Sequence, residues 1–237
     1  MQKNSYKILT SIILLLVTGS GIASEANIKS SSEKSKSASS KKVANIQIGD
    51  FVGGGTVFYV NTKTREGLIA APTDSDEDVG DDFVGYYTWG KPDTIGIEAQ
   101  GAVLFSGGLN TNVILSQPEN SAYKAILAAT TYDISLKEDN IIEGVECSGW
   151  YLPSVYELML MFMFGAPDIP NPNQPVLKSN VLIRNFEATK YWSSTEYIPP
   201  FTDCAWVVNF ENGSLSGELK DSVFTKYKVR AVRSFVY

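Results

Sequence analysis

The densest group of possible ligand residues in this 237-residue chain is an acidic stretch of nine residues that begins at Asp74. It holds six carboxylates, and Asp74, Asp76 and Asp78 have the spacing of the first ligands in a calcium-binding loop. Such a loop also needs a glycine and a glutamate at positions that Val79 and Gly85 occupy here. We therefore expect a solvated acidic loop, and a looser calcium site built from oxygen ligands is the alternative.

The chain has no histidine, which is the commonest general base near neutral pH and the commonest metal ligand. This excludes Ser-His-Asp, Cys-His and histidine-metal chemistry in their usual forms. A hydrolase that works with pairs of Asp and Glu side chains needs no histidine, and it stays open as an alternative.

The two cysteines, Cys147 and Cys204, are the other reactive side chains. In an exported protein such a pair is more often a disulfide than a reactive site. A bridge closing a loop of this length would stabilise the fold by roughly 3–5 kcal/mol. We expect the two cysteines to be bridged, and two buried free thiols are the alternative.

The N-terminus has the pattern of a signal peptide, here assigned to residues 1–24. Lys3 and Lys7 precede an apolar run over residues 8–17, and small residues follow it. The run is shorter than the roughly 20 residues that span a membrane, so no stable span is expected after cleavage. The expected location is secreted or at the cell surface, with the periplasm as an alternative.

Residues 25–45 are predicted to form a disordered linker, because residues 29–42 hold seven serines, five lysines and no large apolar side chain. A single domain is expected over residues 46–237. From residue 43 onward the chain has 13 basic and 24 acidic residues, a formal charge of −11. This charge repels nucleic acids, so they are not expected as partners.

Alternating β-branched and aromatic residues predict strands at 56–60, 67–71, 205–210 and 215–219, with a tight turn at 211–214. Residues 101–112 are rich in Gly and Asn and are expected to form a loop.

Two helices are expected. One begins at an N-cap at Ser121 and runs to Ala129. The other covers residues 155–164 and begins with a capping box formed by Ser154 and Glu157. Because this second helix has only one charged residue, it is expected to be buried on all sides or to lie under another surface.

Six motifs in sequence order resemble the C-terminal domain of Legionella collagen-like adhesins, over roughly Ile48 to Phe235. They are Gly54-Gly55-x-Val57-Phe58-Tyr59, Gly67-Leu68-x-Ala70-Ala71-Pro72, Trp150-x-Leu152-Pro153-Ser154-x-x-Glu157-Leu158, Tyr191-Trp192-Ser193-Ser194-x-Glu196, Ala205-Trp206-x-Val208-x-Phe210 and Val229-Arg230-Ala231-Val232-Arg233. The resemblance implies an α+β, C-type-lectin-like fold with a twisted antiparallel sheet and two helices, related in shape to a sulfatase-modifying-enzyme domain.

The chain departs from that family in lacking a Gly-X-Y collagen repeat and in being strongly acidic. A preference for sulfated glycans is therefore not carried over. The chemistry of the sulfatase-modifying enzymes, which needs a close pair of reactive cysteines, is not carried over either.

In the motifs, Trp150, Trp192 and Trp206 are expected to be buried rings. Arg230 and Arg233 are expected to pair with Glu196 and Glu157. A ligand site is hypothesised at Glu196, Asn209 and Arg230.

The expected function is a non-enzymatic extracellular binding module, an adhesin-like domain that recognises a glycan or a protein. Three loops, over residues 74–83, 168–175 and 197–203, are the expected binding face, because lectin-like folds bind through loops held by their strands. No cofactor is expected, apart from calcium as the alternative named above. A second hypothesis is a structural envelope protein that assembles with itself through the apolar helix, and a homo-oligomer is left open.

Overall fold

The computed structural model describes residues 45–80, 85–91, 97–132, 142–165, 185–197, 201–222 and 224–237. All of them lie in the compact unit Lys42–Tyr237. The expected signal peptide, all but the last residue of the expected linker and the loop at 168–175 lie outside the described residues. Within the described part of the chain, no helix has the length and apolar character needed to cross a membrane.

Strands and helices alternate irregularly along the described residues. The strands are β1 (Phe51–Val52), β2 (Gly55–Asn61), β3 (Glu66–Ala70), β4 (Glu146–Cys147), β5 (Lys190–Glu196), β6 (Cys204–Asn209), β7 (Leu215–Leu219) and β8 (Val232–Val236). The helices are α1 (Ser106–Leu115), α2 (Lys124–Thr130) and α3 (Val155–Gly165), with 3-10 turns at Ile97–Gln100 and Asn120–Ala122.

The first sheet has five antiparallel strands in the order β1-β2-β3-β8-β4. Its β2–β3 hairpin confirms the strands predicted at 56–60 and 67–71. Strand β8 packs closely against this hairpin at Gly67, where an added Cβ would lie 2.5 Å from the Phe235 ring. The absence of a side chain at Gly67 therefore lets the C-terminal strand join the sheet.

The second sheet has three antiparallel strands in the order β5-β6-β7. The hairpin of β6 and β7 confirms the turn predicted at 211–214. Gly213 adopts a left-handed conformation in this turn, with φ of 75°, and its N–H donates to the Asn209 carbonyl at 2.7 Å. Glycine reaches that conformation without the steric cost that other residues bear.

Two fully buried tryptophans join β5 to the segment 85–91. The indole N–H of Trp192 donates to the carbonyl of Tyr87 at 2.7 Å, and that of Trp89 donates to the carbonyl of Ser193 at 2.7 Å. Each ring thus buries a large apolar area while its polar atom stays paired. The prediction of a buried Trp192 is confirmed, whereas Trp150 and Trp206 are partly exposed.

The predicted capping box at the start of α3 is confirmed. The N–H of Ser154 donates to Oε2 of Glu157 at 2.7 Å, and the N–H of Glu157 donates to Oγ of Ser154 at 3.3 Å. The other carboxylate oxygen, Oε1, accepts the N–H of Phe105 at 2.7 Å. Glu157 is fully buried, so this one side chain fixes the start of α3 to the residue before α1.

Three expectations about the helices are wrong. Residues 106–115 form α1 and not a loop, so the described residues contain three α-helices and not two. Ser121 lies in a 3-10 turn and does not cap α2, whose N-cap residue Tyr123 makes no side-chain capping bond. Helix α3 is not buried on all sides, because Tyr156 is 51% exposed and Met163 is 68% exposed.

The described residues thus form a mixed fold of antiparallel sheets and helices, which confirms the α+β class.

We predict that Glu157 makes stability depend on pH. Burial outweighs the backbone N–H donors and raises the pKa of Glu157 from 4.5 to about 7. The folded state therefore binds more protons than the unfolded state between these values. Stability from this group is fully present below pH 4.5 and is lost as the pH rises to about 7, by about 3 kcal/mol.

Urea unfolding from pH 4 to pH 8 measures this effect. Glu157→Gln should be less stable at low pH and should show a smaller decline with rising pH, since only the contribution of Glu157 is removed. The exposed Glu143→Gln is the control and should keep the wild-type profile. An unchanged decline in Glu157→Gln would contradict the assignment.

Candidate functional site

Arg230 and Asp74, both predicted ligand residues, form a buried ion pair with each other. Nη2 of Arg230 lies 2.6 Å from Oδ1 of Asp74, and the arginine side chain is fully buried. The hydroxyl of Tyr191 donates to Oδ2 of Asp74 at 2.8 Å. Burial raises the pKa of the Asp74 carboxyl, and the charge of Arg230 acts in the opposite direction. Both oxygens of Asp74 are therefore engaged within the fold.

Asp74, the first of the three residues proposed to bind calcium, has both carboxylate oxygens occupied by this arrangement. Asp74 faces Arg230, while Asp76 is exposed and Asp78 accepts the N–H of Gly80 at 3.0 Å. In the part of the chain that the structure describes, no group of three Asp, Glu or Cys side chains is placed to hold a metal ion. The acidic stretch continues into residues 81–84, which lie outside that part.

Glu196 forms a second buried pair, with Lys220. Nζ of Lys220 lies 2.5 Å from Oε1 of Glu196, and neither side chain is more than 2% exposed. Nζ also lies 4.9 Å from the centre of the Trp89 ring. Burial raises the pKa of Glu196, and its hydrogen bond to Lys220 opposes this. The pair fixes the end of β5 to the residue that follows β7.

The three predicted ligand residues are not brought together. Asn209 lies at the far end of the β5–β6 ladder from Glu196, and its Oδ1 accepts the N–H of Glu211 in the hairpin turn at 2.8 Å. Arg230 pairs with Asp74 and not with Glu196, so one expected ion pair is wrong. Each of the three side chains contacts a different part of the fold.

The other expected ion pair, between Arg233 and Glu157, is also wrong. Arg233 donates to the carbonyls of Ser148 and Gly53, whereas Glu157 accepts backbone N–H groups. The two side chains have opposite charges, but in the fold each forms its hydrogen bonds with backbone groups instead of with the other.

The predicted disulfide is wrong as well. Cys147 and Cys204 are both free thiols. Cys147 lies in β4 at the edge of the five-stranded sheet, and Cys204 opens β6 in the three-stranded sheet. Burial raises the pKa of each thiol. Neither cysteine therefore has the lowered pKa that marks a reactive thiolate.

A cleft of about 430 Å³ lies between α1 and the start of the Trp150 motif. We call it the Trp150 cleft. The described residues that line it carry no charge, and they combine aromatic rings with hydroxyl and amide groups. The lining residues are Phe105, Gly108, Leu109, Thr111, Asn112, Leu115, Thr130, Ser148, Gly149, Trp150, Tyr151 and Ser234.

Trp150 is the central ring of this cleft. Its indole contacts Tyr132, at 5.4 Å between ring centres, and the guanidinium of Arg233, at 5.0 Å from the ring centre. Its Nε1 is buried and has no hydrogen-bond partner among the described residues. Burial raises the pKa of Tyr151, so that hydroxyl keeps its proton. Asn112 is exposed on α1, with no side-chain hydrogen bond within the described fold.

The sequence hypothesis missed this cleft for two reasons. Trp150 is expected from the sequence to be a buried ring, and Asn112 falls within the loop expected over residues 101–112. The signal that could have found it is the Gly107-Gly108 pair, because an added Cβ at Gly107 would lie 2.9 Å from the Leu152 carbonyl, so glycine lets α1 pack closely against the segment after Trp150.

A second concave surface, a groove of about 500 Å³, is almost wholly apolar. Its lining residues are Ala102, Val103, Leu104, Val155, Tyr156, Met159 and Leu215. Along α3 the stripe continues to Met163. Along the second sheet it continues to Trp206 and to Tyr197, whose ring lies 4.4 Å from that of Trp206 and meets Phe201 edge-on at 6.2 Å between ring centres. We call this continuous surface the apolar face.

No protein-family model matches the chain, and no curated protein is significantly similar to it. The resemblance to the adhesin domain therefore stays an interpretation of the six motifs.

We predict that the Asp74–Arg230 pair is a structural element and not a ligand site. Asp74→Asn leaves a buried guanidinium without its counter-charge and should destabilise the fold by about 3–5 kcal/mol. The exposed Asp76→Asn is the matched control, expected to change stability by less than about 0.5 kcal/mol. Chemical denaturation measures both, and equal stability of the two variants would contradict the prediction.

Proposed function

We propose that the protein is an exported, non-enzymatic binding module that recognises an uncharged glycan in the Trp150 cleft. The observation that carries this proposal is a cleft of about 430 Å³ beside Trp150, whose described lining residues are aromatic, apolar or uncharged and polar. Its volume falls within the range of about 300–1,000 Å³ typical of small-ligand sites.

Sugar recognition suits this lining. An aromatic ring offers an apolar surface to the C–H face of a sugar, while amide and hydroxyl groups can exchange hydrogen bonds with its hydroxyls. Asn112 offers both a donor and an acceptor, and Ser234 adds a hydroxyl, whereas the hydroxyl of Ser148 already donates to the Gly149 carbonyl and accepts the N–H of Ser234. A sulfated or otherwise anionic glycan is disfavoured, because the domain from residue 43 onward carries a formal charge of −11.

The environments of the buried carboxylates support binding over hydrolysis. Asp74 pairs with Arg230, Glu196 pairs with Lys220, and Glu157 accepts backbone N–H groups. Two carboxylates that flank a glycosidic bond would have to face one open cleft. None of these three lines the Trp150 cleft.

Export and a lectin-like topology belong to the same proposal and are supported by the sequence. The apolar run over residues 8–17 supports a signal peptide, and the six ordered motifs support a C-type-lectin-like arrangement of the α+β fold. A secreted or cell-surface location would bring the cleft into contact with extracellular glycans.

We predict that Asn112→Ala weakens binding of a neutral oligosaccharide about fivefold, since it removes one hydrogen-bonding group worth about 1 kcal/mol. The ligand is first chosen by screening the full chain on an array of neutral and sulfated oligosaccharides and matrix proteins, with and without calcium. Isothermal titration then measures the affinity. Asn120→Ala, an exposed substitution outside the cleft, is the control and should bind as the wild type does.

Trp150→Phe tests the central ring with a smaller aromatic side chain and is expected to weaken binding further. Binding that survives both cleft substitutions but is lost after changes in loops 74–80 or 201–203 would place the site in the loops. Capture of sulfated glycans or matrix proteins alone would contradict an uncharged glycan as the ligand.

A further inference from the structure

Strand β7 is an edge strand that has no second strand partner among the described residues. It pairs only with β6, and the order of the three-stranded sheet is β5-β6-β7. An edge strand presents unpaired N–H and C=O groups to which another strand can bind. Whether a strand can bind here depends on which backbone N–H and C=O groups of β7 point away from β6 and on whether other residues block them.

The backbone hydrogen bonds that flank β7 decide its orientation. Asn209 N–H donates to the carbonyl of Ser214, and the N–H of Lys220 donates to the carbonyl of Asp203. Even-numbered residues therefore direct their backbone groups toward β6, and alternation along the strand turns those of Leu215, Gly217 and Leu219 outward. The hydroxyl of Thr225 donates to the Leu219 carbonyl at 2.7 Å, and a carbonyl oxygen can accept a second hydrogen bond.

This edge lacks the usual protection against pairing. Natural edge strands carry lysine, proline or a bulge, whereas β7 reads Leu-Ser-Gly-Glu-Leu and pairs regularly with β6. Its only charge, Glu218, already binds Lys190 at 2.6 Å and Tyr227 at 3.0 Å. Leu215 and Leu219 are each 46% exposed.

We propose that a second copy of this chain pairs with β7, strand to antiparallel strand, about a two-fold axis at Gly217. The strand is self-complementary in this register, because Leu215 of one copy lies opposite Leu219 of the other at both ends. Ser216 lies opposite Glu218 of the second copy, so no like charges meet. The two three-stranded sheets then form one continuous six-stranded sheet.

The surface beside β7 fits the same partner. The apolar face extends from Leu215 across α3 and holds Tyr156 and Met163, which are 51% and 68% exposed. With Leu215, which is 46% exposed, these side chains would add apolar area to the strand pair, toward the ~800 Å² that each partner buries in a stable interface. Because each domain carries a formal charge of −11 from residue 43 onward, a surface without acidic side chains is the favourable one for two copies to meet.

Paired charge variants test both the interface and its register. Leu215→Lys/Leu219→Lys places lysine opposite lysine at both ends of the strand pair. Leu215→Lys/Leu219→Glu places lysine opposite glutamate at both ends. Phe51→Lys, at an exposed position on the edge strand of the other sheet, is the control. Analytical ultracentrifugation of the full chain measures the dimer dissociation constant, and circular dichroism confirms that each variant is folded.

The wild type and the Phe51→Lys control should form dimers. The double-lysine variant should weaken the dimer at least about tenfold, and the lysine–glutamate variant should restore it to near the wild-type affinity. Salt should strengthen the wild-type dimer, since it screens the repulsion between two acidic copies. A wild type that stays monomeric up to its solubility limit, or two double variants that dimerise equally well, would overturn the proposal.

Discussion

The carboxylate of Glu157 is the interaction on which both concave surfaces depend. One of its oxygens accepts the backbone N–H of Ser154, three residues away in the sequence, and the other accepts that of Phe105, 52 residues away. Phe105 lines the Trp150 cleft, and the residues just before it line the apolar groove beside α3. A carboxylate in this position satisfies helix-terminal donors that would otherwise be buried without partners. The cost is a desolvated charge at the junction of the two surfaces.

Features governed by local sequence were predictable. The capping box at Ser154 and Glu157 needs only neighbouring residues, and the turn at 211–214 needs only a residue such as Gly213 that tolerates positive φ. The alternating strands at 56–60 and 67–71 were also found, because their pattern matches the two faces of a sheet. The α+β class follows from these elements, since antiparallel hairpins and a strongly apolar helix occur in one chain.

Features decided by distant contacts were not predictable. Helix α1 contains two glycines, which disfavour helices, but an added Cβ at Gly107 would lie 2.3 Å from Oε2 of Glu157. Tertiary packing thus outweighs the low helix propensity of glycine at this position. The partner of Arg230 could not be predicted, because Asp74 lies 156 residues away in the sequence and no local motif links the two residues. The Trp150 cleft escaped notice because its two walls come from separate parts of the chain.

The placement of the two cysteines has a consequence for how the chain matures. Because Cys147 and Cys204 belong to different sheets, neither sheet needs a covalent link to hold its strands in register. Tertiary structure here rests on packing, ion pairs and backbone hydrogen bonds, none of which requires an oxidant. The polypeptide can therefore reach its final form without thiol oxidation, and its folding yield should not depend on whether glutathione in its surroundings is oxidised or reduced.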